Sequence, residues 1–356
     1  MRRRWCSVVT TYLVVFVGFN LLILWSVTSP YNPEVQMRRM RKLSLISDTE
    51  LVRESPNQLS VQSPSTPPRD GARIQDKAIS TKKTITTTEL FKADIQNMNF
   101  TLVTGSDNVY FDGLVNLVGS VHYWESRRNI VVYNLGLSET QIQRVKSWCR
   151  TKLVNFHLDS PRYPEHVSYL KKFAWKSVVL KDAVDRFGKI LWIDAGCDVR
   201  GPMSKIDDFL KQDGHFFVQG QDVDMTRLTH FNMFRYFNET MSKFKGKYSF
   251  AGGISGWVKG SKAYRRILPR WIQCSMDVTC ISPLGAGLAN HRYDQSALSV
   301  IAYTSGVNIT AHTELLAATR SQLHPDAKKP SPQVIYTARR GSSDYAAYVC
   351  ERDGAS

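Results

Sequence analysis

From about residue 91 the chain alternates short, apolar, β-type runs with longer amphipathic stretches, and this alternation limits the possible folds more than any other feature. Runs at 100–104, 129–133, 153–156 and 190–193 read as strands. Between them, 110–124, 138–149 and 165–186 read as helices, the second opened by Ser138-x-x-Gln141, the pattern of a capping box. Strand and helix in strict succession predict an α/β fold with a mostly parallel sheet flanked by helices. In such sheets ligands gather beyond the carboxyl ends of the strands. Asp194 closes the run at 190–193 and stands at such an end.

The second half is less regular. A helix at 205–211 and a strand at 215–218 precede a polar and aromatic segment at 222–248, and the Gly-rich stretch FAGGISGWVKGS follows. A sheet extension carrying acceptor-binding loops is expected there. Cys274 and Cys280 lie close together without the His or second Cys pair of a zinc site, so a local disulfide is expected. The pairing of Cys149, Cys197 and Cys350 stays open, and their odd number leaves one thiol over.

The first thirty residues differ in kind. Arg2, Arg3 and Arg4 precede an apolar run from Trp5 to Val27, 23 residues and long enough to cross a bilayer as a helix. Its length, and the Ser29-Pro30-Tyr31 that follows, favour a retained signal anchor over a cleaved signal peptide. Residues 28–90 are rich in Ser, Thr, Pro and charge, with no apolar period, and should form a flexible stem. The expected layout is a cytoplasmic tail at 1–4, a membrane anchor at 5–27, the stem at 28–90 and a lumenal domain at 91–356. Glycosylation acceptor patterns at Asn99, Asn238 and Asn308, and five cysteines beyond the anchor, suit a lumenal address. The net charge of +16 extends into the folded part, yet no zinc-finger spacing, RNP-like aromatic run or Lys/Arg-rich helix accompanies it. Nucleic acid is therefore excluded as a partner. Phosphate-bearing small molecules, acidic glycans or anionic headgroups fit the charge better.

The stretch KILWIDAGCD, residues 189–198, places Asp194 at the end of an apolar strand and Asp198 four residues later. With the anchor, stem and alternating elements before it, this resembles the GT-A glycosyltransferases, glycogenin-like relatives among them, which use nucleotide-diphosphate sugar donors; the anchor and stem fit a type II Golgi enzyme. In that group the strand commonly ends in Asp-x-Asp, whose carboxylates hold Mn²⁺ or Mg²⁺ on the diphosphate. Here Gly196 stands where the second Asp would be. The resemblance implies metal ligands at Asp194 and Asp198, with His324 of the His-Pro-Asp-Ala-Lys-Lys-Pro stretch completing the shell; His312 is a rival. Gly252 and Gly253 resemble the segment in which small residues admit the donor sugar. Asp294 and Gln295, opening a helix, resemble the family's substrate-facing pair. Lys176 is placed toward the diphosphate, and Thr104 and Asp107 toward the nucleotide.

The implied function is sugar transfer to a glycan, glycoprotein or glycolipid acceptor at the Golgi or ER membrane. A membrane-anchored relative that binds sugar nucleotides or glycans without transfer is the alternative, supported by Gly196. A sulfotransferase shares the anchor and charge but needs a phosphate-cradling Lys that Thr104-Gly105-Ser106-Asp107 lacks.

Overall fold

The computed structural model describes residues 99–338 and 342–352. The predicted tail, anchor and stem lie outside them. Among the described residues no helix is long and apolar enough to cross a membrane.

The first half follows the predicted succession: β1 (Thr101–Ser106), α1 (Phe111–Trp124), β2 (Ile130–Asn134), α2 (Glu139–Ser147), β3 (Thr151–Asn155), α3 (Trp175–Phe187) and β4 (Lys189–Ile193). The four strands pair in parallel in the order β3-β2-β1-β4. Past β4 the sheet continues through β7 (Tyr248–Val258) to β6 (His215–Asp224), both pairings antiparallel. The expected extension of the sheet is therefore present, and β6 runs six residues beyond the expected strand end. The capping box at Ser138 and Gln141 forms in both directions.

Side-chain alternation along the strands divides the core in two. Val103, Ile190 and Trp192 face one cluster with Trp175, Val179, Trp257, Trp271 and Leu298. Leu102, Leu191 and Ile193 face the other, with Leu114, Val118, Phe216 and Ile254. All five residues of β4 are buried. A strand packed on both faces reads as a continuous apolar run, which is why 190–193 is so plain in the sequence.

One predicted helix is corrected. The stretch 165–186 breaks into two 3₁₀ turns, Glu165–Val167 and Leu170–Lys172, before α3 begins at Trp175. Phe173 ends the second turn with φ of 55°, a left-handed conformation that no helix can continue through.

Cys274 and Cys280 form the expected disulfide; Cys149 joins Cys350 across 201 residues, and Cys197 is buried outside both pairs. The Cys149–Cys350 bond fixes the carboxyl-terminal tail beside β3. A second anchorage of that tail starts from the turn after β4. The N–H of Cys197 donates to the carbonyl of Asp194, so the chain turns back on itself, and β5 (Asp198–Val199) leaves the main sheet. β5 pairs with β9 (Ile335–Tyr336), which pairs with β8 (Leu316–Ala317). Asp198, completely buried, accepts from Arg200 Nε at 2.6 Å and Nη2 at 3.0 Å, and from Asn116 Nδ2 at 3.0 Å. Arg200 also donates to Asp344 at 2.7 Å. Removing one member of such a buried pair leaves charge uncompensated. Asp198→Asn should lower unfolding free energy by about 3 kcal/mol in urea titrations, whereas Asp208→Asn on the exposed face of the following helix should change it little.

Candidate active site

Four elements meet where β4 ends. Asp194 is the first residue past β4, and its N–H donates to the carbonyl of Gly253 in β7 at 2.8 Å. Lys176 stands in the first turn of α3. Asp294 stands in the first turn of the helix Tyr293–Thr304, called α9 here after the shorter helices α4 (Ser204–Asp213), α5 (Phe231–Tyr236), α6 (Lys262–Arg266), α7 (Leu268–Met276) and α8 (Val278–Ile281). The ammonium of Lys176 lies 3.0 Å from Asp194 Oδ1 and 3.2 Å from Oδ2. It lies 3.2 Å from Asp294 Oδ2 and donates to the carbonyl of Gly252 at 3.2 Å. Trp192 Nε1 donates to Asp194 Oδ1 at 2.7 Å. The rings of Phe173, Trp175 and Trp192, centred 5.6–5.8 Å from the ammonium, enclose it.

Exposure separates the three charged groups. The side chain of Asp194 is 41% exposed, whereas those of Lys176 and Asp294 are 3% and 8% exposed. Asp194 is thus the face of the cluster that a ligand meets, and the other two lie behind it. The glycine pair explains how they fit. A Cβ on Gly253 would stand 2.7 Å from Asp194 Oδ2, and one on Gly252 would stand 2.5 Å from Asp294 Oδ2. Only residues without a side chain let β7 run this close beneath both carboxylates.

Burial alone would push the Lys176 ammonium toward its neutral form, but the charges of Asp194 and Asp294 outweigh it and hold its pKa above the ordinary lysine value. Burial pushes the Asp294 carboxyl above the ordinary carboxylate range, against the opposing pull of Lys176. At neutral pH the ammonium is therefore charged and shared between the two carboxyl groups.

Of the residues marked out in the sequence, the fold brings together Asp194, Lys176, Asp294, Gly252 and Gly253. Gln295 adjoins them, its amide nitrogen donating to Ser249 Oγ at 2.8 Å and to Gln221 of β6. The others go elsewhere. Asp198 is consumed by Arg200 and Asn116, as above. His324 turns into its own loop, where its Nδ1 accepts from the N–H of Asp326 at 3.0 Å. His312 stacks on Phe209 with ring centres 3.6 Å apart and lies 3.3 Å from Glu314. Thr104 is completely buried within β1, its hydroxyl without a hydrogen-bond partner. Asp107 spends one oxygen on the N–H groups of Val109 and Tyr110, capping the turn into α1. Lys176, expected to reach outward to a diphosphate, instead faces inward.

Sequence reading missed the indole of Trp192 and the pair Gln221 and Ser249, because each acts through a contact made only in the folded chain. It also missed a matched strain. Phe173 before α3 and Tyr293 at the start of α9 both have positive φ, 55° and 43°, and their rings pack 5.9 Å apart. Non-glycine residues held there are unusual and cluster at functional sites.

A divalent metal, which the GT-A resemblance implies, does not fit the donors present. Asp194 and Asp294 are already bridged by an ammonium, and the remaining expected ligands lie in other networks. Among the described residues no group of three or more His, Cys, Asp or Glu side chains is arranged to hold a metal ion.

The family described as "Protein of unknown function (DUF1647)" matches residues 76–181. No curated protein matches the chain. Its structural neighbours are GT-A-type glycosyltransferases. The galactosyltransferase LgtC, solved with donor and acceptor sugar analogues, is 16% identical with a TM-score of 0.44, over 72% of this chain and 92% of that one. Mouse xyloside xylosyltransferase 1 is 11% identical with a TM-score of 0.42, over 70% and 99%. The bifunctional glycosyltransferase WbbM is 14% identical with a TM-score of 0.39, over 59% of this chain, which spans only 38% of WbbM. What those proteins act on is theirs, and the chemistry of this chain rests on its own residues.

Two outcomes follow from the site's geometry. Gly253→Ala forces the Asp194 carboxylate off Lys176 and should cost roughly 1–3 kcal/mol in denaturant unfolding, while Gly287→Ala, whose added carbon meets open space, should be neutral. His291, three residues before Asp294, is completely buried. Its Nδ1 accepts from the N–H of His230, so Nε2 carries the proton and donates to the carbonyl of Ile281. Burial first, and then the neighbouring His230, hold its pKa down at about 4. Its contribution is complete above the unfolded value near 6.5 and is lost as pH falls from about 6.5 to about 4, by roughly 3 kcal/mol. Urea midpoints measured across that range should fall more steeply for the native chain than for His291→Gln.

Proposed function

We propose that this chain is a glycosyltransferase that moves a sugar from a nucleotide-diphosphate donor to a hydroxyl of a glycan, glycoprotein or glycolipid acceptor. The observation that carries the reading is the cluster at the carboxyl end of β4: one exposed carboxylate on a parallel sheet, backed by a buried lysine and a second buried carboxylate from two different helices. Ligands of such sheets bind at that edge. An ionised carboxylate is an acceptor only, suited to the hydroxyls of a sugar.

In this reading Asp194 receives donor sugar hydroxyls and fixes the anomeric carbon. Lys176, itself backed by Asp294, holds Asp194 in place, and Gly252 and Gly253 keep β7 out of the space the two carboxylates fill. The acceptor oxygen forms its bond to the anomeric carbon as the bond from that carbon to the diphosphate oxygen breaks. The acceptor's proton is released, and the nucleoside diphosphate departs with the bonding pair. Positioning supplies much of the rate enhancement. A Golgi or ER membrane address, with the lumen holding the site, belongs to the same proposal. It is supported by the apolar run from Trp5 to Val27 and by the exposure of Asn99, Asn238 and Asn308 in their acceptor patterns.

A second reading, binding without transfer, is favoured by the burial of Asp294, which leaves only one of the two carboxylates open to a ligand. Full-length protein in detergent, offered a panel of sugar nucleotides, separates the two. The expected result is turnover of one donor, reduced about 100-fold or more in Asp194→Asn, the scale of losing a positioned polar contact. Thermal stabilisation by a donor with no turnover across a panel of acceptors establishes the second reading, and no donor effect of either kind overturns both.

A further inference from the structure

We infer that the ammonium of Lys176 is this site's resident cation, so that the cleft takes its diphosphate-bearing donor without a divalent metal ion. The inference rests on the transferase reading for the donor, but its evidence is in the side chains themselves.

A hard cation needs several oxygen ligands at about 2.0–2.6 Å. The two carboxylates of the cluster that such an ion would bridge are bridged by Lys176 Nζ at 3.0 Å and 3.2 Å. The same nitrogen also donates to the carbonyl of Gly252, the one backbone oxygen that its geometry brings in as a further ligand. An ion placed between Asp194 and Asp294 would have to expel the lysine. The rings of Phe173, Trp175 and Trp192 also pack around it, and its expulsion would forfeit those contacts as well.

Among the described residues, none of the candidates marked in the sequence gives the exposed face of Asp194 a second ligand. Gly196 occupies the position two residues on. Asp198 is held by Arg200 from both oxygens, and the backbone turn closed by Cys197 directs it into the other sheet. His324, seven residues from the hydroxyl of Ser331 to which its N–H is tied, keeps its Nδ1 for Asp326. A single monodentate carboxylate does not hold Mg²⁺ or Mn²⁺ against water.

The lysine also bears on the donor, because it lowers the negative charge that a diphosphate meets. Any negative charge on Asp194 and Asp294 would repel an incoming diphosphate, and the ammonium between them offsets that repulsion. Because the ammonium is covalently part of α3, this compensation cannot be removed by a chelator.

The test uses Mn²⁺ alone, with no donor, read by the loss of its free-ion electron paramagnetic resonance signal on titration into full-length protein in detergent. Asp194→Asn is the reference for adventitious binding. The expected result is that wild type binds no more Mn²⁺ than Asp194→Asn. One equivalent bound by wild type and lost in Asp194→Asn overturns the inference. Lys176→Met keeps the volume and removes the charge. It should gain one Mn²⁺ equivalent, lost again in Lys176→Met/Asp294→Asn, and a folded Lys176→Met that gains none overturns the claim that the lysine fills a cation's place. Should Lys176→Met not fold, the wild-type titration decides alone. No arm uses a sugar nucleotide, so failure of the transferase reading leaves these outcomes intact.

Discussion

A buried ammonium shared by two carboxylates and a backbone carbonyl holds the working edge of this protein together. Lys176 draws α3, the end of β4, the middle of β7 and the start of α9 to one point, and each contributes a group that the others need. Such a cluster is a weak source of net stability, because taking its charges out of water costs about as much as their attraction returns. What it imposes is position. Any packing that leaves one of these side chains buried without its partners is far worse, so the four elements have one acceptable arrangement.

The same logic operates a second time, on the other side of the turn at Asp194–Cys197. Asp198, Arg200 and Asp344 form a buried network that holds the small sheet and the carboxyl-terminal tail, which Cys149–Cys350 also fastens. Two carboxylates four residues apart thus belong to separate structures. The turn between them reverses the chain, and β5 carries the second away to β9. A pattern that looks like one incomplete metal motif is two complete ion-pair networks.

Much of the first half of the fold was legible because period-2 and period-3.6 patterns are local properties. The runs that became β1, β2 and β4 are packed on both faces, β3 at the sheet edge exposes Lys152 and Asn155, and the cap at Ser138 needs only Gln141 three residues on. Cys274 and Cys280 are readable for the same reason. The break at Phe173 was not, since its left-handed backbone is held against a ring, Tyr293, 120 residues away. In the site, Asp194, Lys176, Asp294 and the glycine pair were legible as residue types at plausible positions. Their division into one exposed and two buried members was not, because exposure depends on how α3 and α9 close over β4. Asp198 misled because its partners include Asn116 and, through Arg200, Asp344, neither of which leaves a mark near KILWIDAGCD.

Sharing also couples the two carboxylates. Lys176 divides its attraction between Asp194 and Asp294, so a hydroxyl that donates to the exposed Asp194 competes with the lysine for the same oxygens. Asp294 lies against the same ammonium, whose charge opposes the burial that would otherwise favour its protonated form. The two carboxylates thus share one counter-ion, although only Asp194 is open to solvent. Phe173 and Tyr293, the residues of positive φ at the starts of the helices bearing Lys176 and Asp294, also pack against each other. A ring contact and a shared ammonium thus tie the same two helix starts together.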